Sequence, residues 1–135
     1  MPNFSCRVRV AFVDTDASGR IHFTSMLRYF ETAELEFLRS LGFQYRDAPD
    51  VAYPRVRVEC EYRSALGFDD QIEIAVAVRR VGTSSYTLEF TAMKEGAVAA
   101  RGSIVAVSVG RAGRAQALPE KLKQVLRGFA EQKRA

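Results

Sequence analysis

The run from Ser25 to Leu41 reads as a helix with one face that has to be buried, and that requirement limits the folds open to the chain. Met26, Phe30, Ala33, Phe37 and Leu41 recur every three or four positions, and Leu27, Leu38 and Tyr29 widen the stripe. Glu31, Glu34, Glu36 and Arg39 fall mostly between them. Thr24 or Ser25 can cap the helix start by accepting a bond from a free backbone N–H, and Gly42 follows as a stop signal. Two aspartates and a glycine, Asp14, Asp16 and Gly19, lie on the short loop that feeds this helix. At a helix N-terminus unpaired N–H groups and the helix dipole favour negative charge.

The surface to bury that stripe comes from alternating segments. Cys6, Val8, Val10 and Phe12 alternate with Ser5, Arg7, Arg9 and Ala11, which predicts a half-buried strand over residues 5–13. A polar, broken stretch with Pro49 and Pro54 follows the helix. Val56, Val58, Cys60 and Tyr62 then share one face of a strand, Ile72 to Val78 mark the next, and Tyr86 to Ala92 a third, closed by a turn at Lys94-Glu95-Gly96. Residues 97–109 are apolar on both faces, which predicts a cover on the far side such as a partner subunit. Leu122, Val125, Leu126 and Phe129 predict a short amphipathic helix within 119–132. One strand, one long helix and four strands joined by short turns imply an α+β domain, an antiparallel sheet with helices on one face.

The 135 residues suit one domain spanning 1–135, and 47% apolar content is ample for its core. No apolar run approaches the roughly 20 residues needed to cross a bilayer, and no signal pattern opens the chain, so a cytoplasmic location is expected. Cys6 and Cys60 fall on apolar strand faces and read as reduced core residues; with one histidine, no metal site is expected. The net charge of +4 is uneven: residues 111–135 carry +5 and the remainder −1. That tail suits either the phosphates of coenzyme A or a solvated helix face. No zinc-finger, aromatic RNA-binding or basic helix-turn-helix pattern accompanies it, so no nucleic-acid partner is expected.

The loop residues admit two readings. A carboxylate at Asp16 beside a helix start can attack a carbonyl or deprotonate a water; equally, Asp14 and Asp16 can be turn residues bonded to local backbone. Gly19 permits a tight turn or a close approach of backbone to substrate. His22 with Ser18 or Ser25 spells a Ser-His-Asp set in composition, but nothing in the spacing fixes that geometry. Arg79, Arg80, Arg101, Arg111 and Arg114 are phosphate candidates or solvated charges.

The stretch D-x-D-x-x-G-x-I-x-F-x-x-M-L-x-Y-F-E-x-A-x-x-x-F-L, beginning at Asp14, resembles the signature of the hotdog-fold acyl-CoA thioesterases of the 4-hydroxybenzoyl-CoA thioesterase type. The resemblance continues through E-Y-R-S-A-L-G-F-D-D within Glu59–Asp70 and G-R-A-Q-A-L-P-E at Gly113–Glu120, and so covers nearly the whole chain. It implies a curved antiparallel sheet wrapped around one long helix, and hydrolysis of an acyl-CoA to a free acid and coenzyme A with no other cofactor. Asp16 matches the acidic residue used in catalysis, and the N–H of Phe23, with Thr24, matches the oxyanion donor. His22, Thr24 and Ser25 would line the acyl site, Arg114 would contact coenzyme A, and a homodimer or homotetramer would place the site between subunits. The chain departs from the usual pattern at Arg20, His22, Phe23, Ser25 and Met26, which bears on acyl specificity. Two alternatives stay open: a hydratase or dehydratase of enoyl thioesters on the same fold, and a non-catalytic acyl-thioester-binding module.

Overall fold

A computed structural model describes residues 4–134. Five strands, β1 (Phe4–Arg9), β2 (Arg55–Tyr62), β3 (Gln71–Val81), β4 (Ser85–Lys94) and β5 (Ala97–Val107), form one sheet with two helices, α1 (Ser25–Ser40) and α2 (Glu120–Arg134). All pairings are antiparallel and the spatial order is β1-β3-β4-β5-β2. The β4–β5 hairpin turns on Glu95 and Gly96, both at positive φ (50° and 81°), a handedness that suits the twist of the two strands. β1 and β2 therefore become the two edges. This is the curved sheet and central long helix, α1, of the hotdog fold; α2, expected to be short, is 15 residues long against 16 for α1.

The predicted stripe of α1 is the core. Met26, Phe30, Ala33 and Phe37 are fully buried against Ile72, Ile74, Leu88, Phe90 and Ile104 of the sheet. Phe30 stacks on Phe90 with ring centroids 4.8 Å apart. A glycine makes that approach possible: a Cβ at Gly102 would stand 2.6 Å from the Phe30 ring and 2.5 Å from the Glu59 carbonyl oxygen. α2 closes the far end, burying Leu122, Leu126 and Phe129, with Phe129 edge-on to Phe37.

Four local expectations change. β1 stops at Arg9, because Val10 turns to pair its N–H and C=O with Asp70 and Asp69, and a 3-10 turn over Phe12–Asp14 then exposes Phe12. Glu34, placed on the polar side by its charge, is buried. Cys6 and Cys60 are free thiols but only half-buried. On the outer face of β5, Val105 and Val107 are likewise half-buried rather than enclosed.

Candidate active site

The loop ahead of α1 is tightly closed by its own backbone. Asp16 N–H donates to the Arg20 carbonyl (2.8 Å), Gly19 N–H to the Asp16 carbonyl (3.0 Å), and Gly19 takes a φ of 81° that other residues adopt only under strain. Its two aspartates have opposite surroundings. Asp14 is buried; its carboxylate accepts the Tyr29 hydroxyl at 2.7 Å and pairs with Arg28 in the first turn of α1. Its backbone carbonyl accepts His22 N–H (2.8 Å) and the Ser25 hydroxyl (3.1 Å), so Asp14 ties both ends of the loop together.

Asp16 faces solvent. Its Oδ1 accepts the Ser18 hydroxyl at 2.5 Å and the Ser18 N–H at 2.8 Å. Those two bonds, the hydroxyl first, favour the charged form and hold its carboxyl below the usual carboxylate range. It is therefore an ionised, solvent-accessible carboxylate at neutral pH.

The residues between Asp16 and α1 present backbone. Ser25 N–H donates to the His22 carbonyl at 2.9 Å. In a trans peptide the carbonyl and the next N–H point in opposite directions, so this bond turns the Phe23 N–H away from the helix. Among the described residues the Phe23 N–H meets no hydrogen-bond acceptor. The Thr24 N–H is engaged instead by His22 Nδ1 (3.2 Å), which also bonds the Thr24 hydroxyl (2.7 Å). Thr24 thus occupies the cap position without capping the helix by its side chain.

Asp16 and Phe23 open on one pocket of about 380 Å³, completed by Arg20, Ile21, Tyr62, Arg63 and Ala65. Larger hollows of about 540 and 550 Å³ lie elsewhere, one among Arg7, Asp70 and Lys94 and one on the outer sheet face beside Arg57 and Arg79. They are ringed by charged side chains. Among the described residues no group of three or more His, Cys, Asp and Glu is placed to hold a metal ion, and no helix is long and apolar enough to cross a membrane.

The structure therefore brings Asp16 and Phe23 together, with Gly19 shaping the loop between them. His22, Thr24 and Ser25 support that loop from behind: the His22 ring stacks on Phe23 at 4.7 Å, while Ser25 is buried against Asp14. Arg114 sits apart, in the turn that follows β5 at the opposite end of the strand from Ala100, the partner of Tyr62. Arg111 is paired with Asp50. The alternation of residues 56–62 places Tyr62 only on a strand face. Its hydroxyl in fact donates to the Phe23 carbonyl, and burial, then the neighbouring Cys60, push its pKa up to about 12, keeping it a donor. The available signal was an aromatic residue with a polar tip at the end of an apolar strand face.

Comparison with known proteins agrees with this architecture. Residues 10–126 match the family model of the thioesterase-like superfamily. The acyl-CoA thioesterase YbgC of Haemophilus influenzae is 30% identical over 94 residues, 67% of this chain and 69% of that protein. A crystal structure of a hypothetical protein from Aquifex aeolicus superposes with a TM-score of 0.86 at 32% identity, covering 91% of this chain and 98% of the other. The gentisyl-coenzyme A thioesterase structure gives 0.84 at 26% identity, covering 91% and 99%. With the family model spanning nearly the whole described fold, the chain belongs to the thioesterase-like superfamily and is a thioester hydrolase.

Proposed function

We propose that this hydrolase cleaves acyl-CoA to a free carboxylic acid and coenzyme A, with Asp16 as the reacting carboxylate and the Phe23 N–H as oxyanion donor. The observation that carries the reading is the shared pocket: Asp16, an ionised and accessible carboxylate, and Phe23, whose N–H is unpaired among the described residues at a helix start, line the same space together with Ile21, Tyr62 and Ala65. Asp16 either attacks the thioester carbon, expelling the coenzyme A thiolate and leaving an acyl-aspartyl anhydride for water to cleave, or it takes a proton from a water that attacks instead. In both routes negative charge develops on the carbonyl oxygen, where a fixed N–H stabilises it. Neither route calls for a cofactor beyond the coenzyme A of the substrate. Ile21, Phe23 and Tyr62 suit a compact apolar or aromatic acyl group.

The hydratase alternative needs a histidine beside the acid, and His22 is committed to Thr24 behind the loop. A second copy of the chain fits at β2, whose edge carries Val56 (62% exposed), Val58 (41%) and Tyr62 (43%). Pairing there would cover that edge and enclose the neighbouring pocket in a cytoplasmic homodimer, or in a tetramer built from it. Arg114, remote from the pocket within one chain, would meet coenzyme A phosphates across such an assembly, and Arg114→Ala should then raise KM at unchanged kcat. A thiol-release assay over an acyl-CoA panel, run beside hydration of crotonyl-CoA, tests the reaction. Release of thiol with no hydration is expected; hydration without thiol release would overturn the reading.

A further inference from the structure

The Phe23 residue that offers the free N–H is itself 70% exposed, so burial does not hold it in place. Hydrogen bonds to the two peptide planes on either side of it do. The His22–Phe23 plane, which carries the Phe23 N–H, is set by Ser25 N–H on the His22 carbonyl; the Phe23–Thr24 plane is held by the Tyr62 hydroxyl on the Phe23 carbonyl and by Thr24 N–H on His22 Nδ1. Ser25 belongs to α1 and is fixed by its helix and by Asp14. Tyr62 is the last residue of β2, on the other side of the pocket, and reaches the loop from 39 residues away in the chain. Together these ties fix φ and ψ of Phe23. Among the described residues the Tyr62 bond is the one that reaches residues 22–25 from across the pocket, so without it that segment, and the Phe23 N–H with it, is held only by bonds within its own loop and α1.

We infer that Tyr62 is a positioning residue for the hydrolysis proposed above: its phenol, donated from the edge strand to the Phe23 carbonyl, aims the Phe23 N–H at the developing oxyanion. This rests on the reading of Phe23 as oxyanion donor. An oriented donor matters only where charge develops, so its effect falls on the transition state rather than on the bound substrate. The same bond joins the loop to the strand through which the second copy is proposed to pair, so the donor is held by the strand at the seam.

Tyr62→Phe removes the hydroxyl and keeps the ring that lines the pocket. Two measurements on the full chain decide the matter. The first is the backbone order parameter of the Phe23 N–H by ¹⁵N relaxation, which does not depend on any reaction. It is expected to fall in the variant from a rigid value of about 0.85 in the parent. The second is steady-state thiol release. Here kcat is expected to drop about tenfold, short of the 10²–10³ loss that follows removal of an oxyanion donor outright. KM and the Kd of a non-hydrolysable thioether analogue of coenzyme A should stay within about twofold. An unchanged order parameter overturns the inference whatever the activity, and so does a loosened N–H with unchanged kcat. A fall in kcat accompanied by equal losses of thermal stability and analogue binding also overturns it, since that pattern belongs to a structural residue. If the N–H loosens as expected but Asp16→Asn retains full activity, the Asp16 reading fails while the tether stands.

Discussion

Arg55 Nη2 lies 2.8 Å from Glu34 Oε1, joining the edge strand β2 to the buried middle of α1. Glu34 is 1% exposed, and its other oxygen accepts the hydroxyls of Tyr45 and Tyr86, the latter at 2.6 Å. Burial works against the Arg55 charge, but Glu34 and the phenols outweigh it and raise its pKa. Removing one partner of such a pair strands a buried charge, which costs about 3–5 kcal/mol. Arg55→Met should lower unfolding free energy by that order in a urea titration. Arg55→Met combined with Glu34→Met should recover much of it, because neither charge is then left alone. A single variant as stable as the parent would mean that water solvates Glu34.

Alkaline stability follows from the same cluster. Burial first, and then the Glu34 charge, push Tyr45 and Tyr86 well above the ordinary phenol value, and burial alone takes Tyr53 up to about 12. A folded-state pKa raised above the unfolded one contributes stability that is fully present below the unfolded value and lost as pH climbs towards the folded one. Unfolded tyrosine titrates near 10. Stability should therefore hold to about pH 9.5 and decline steadily above pH 10. Tyr45→Phe should show a shallower decline over the same range, measured as urea midpoint against pH. Equal slopes would show that Tyr45 titrates as freely folded as unfolded.

The difference between Glu34 and its helix neighbours marks the limit of what local pattern conveys. Met26, Phe30, Ala33 and Phe37 follow from spacing along one segment, and so does the sheet that receives them. Glu34 is buried because Arg55, Tyr45 and Tyr86 arrive from 21, 11 and 52 residues away to satisfy it, and no window around position 34 contains them. Phe12 errs in the opposite direction, since the alternation of β1 runs on in sequence after the strand has turned aside at Val10. At the site, Asp16 and Gly19 are legible as loop chemistry. The free N–H of Phe23 has no side-chain signature, and Tyr62 joins the site only through tertiary contact. Val56 and Val58 read as core residues from their alternation, yet they stand at a sheet edge that this chain alone leaves uncovered.

That edge yields a prediction about assembly. Two β2 strands pairing across a two-fold axis would bury Val58 near the seam, and a charge there would face no partner. Val58→Asp should shift sedimentation at micromolar concentration from twice the 15.1 kDa chain mass to a monomer, and thiol release should fall with it. A parent that sediments as a fully active monomer would rule out a shared site.

The acid limb of activity should depend on Ser18. Its hydroxyl and N–H stabilise the charged form of Asp16, so the carboxylate survives to a lower pH than an isolated one. The sign is that of a depressed pKa: the working form is present above it and is lost as pH falls through it. In the parent, kcat/KM should begin to fall only at a lower pH than an ordinary aspartate would set. Ser18→Ala deletes the first of the two bonds and should move the limb upward, with little change on the plateau. A limb that stays in place would assign the titration to another group.

Asp14 and Asp16 are separated by one residue and should fail in different ways. The Asp14 carboxylate is buried, accepts the Tyr29 hydroxyl and pairs with Arg28, while its own carbonyl anchors His22 and Ser25. Asp14→Ala leaves the Tyr29 hydroxyl without its acceptor, which costs about 1–3 kcal/mol. Arg28 is 63% exposed on its side chain, so the lost ion pair adds little. Stability should drop by that amount, and kcat should fall modestly as the loop loosens. Asp16 is solvent-facing and bonds only within its own turn, so Asp16→Asn keeps the acceptor for Ser18 and should leave the melting temperature unchanged. An amide can neither attack a thioester carbonyl nor deprotonate water. Thiol release should therefore fall by roughly 10²–10⁴ in kcat, with analogue binding intact. Single turnover of the parent in ¹⁸O-labelled water then separates the two chemical routes. Label in the Asp16 carboxyl indicates the anhydride, and its absence there favours a water activated by Asp16. Near-full activity in a folded Asp16→Asn protein would remove Asp16 from the reaction altogether.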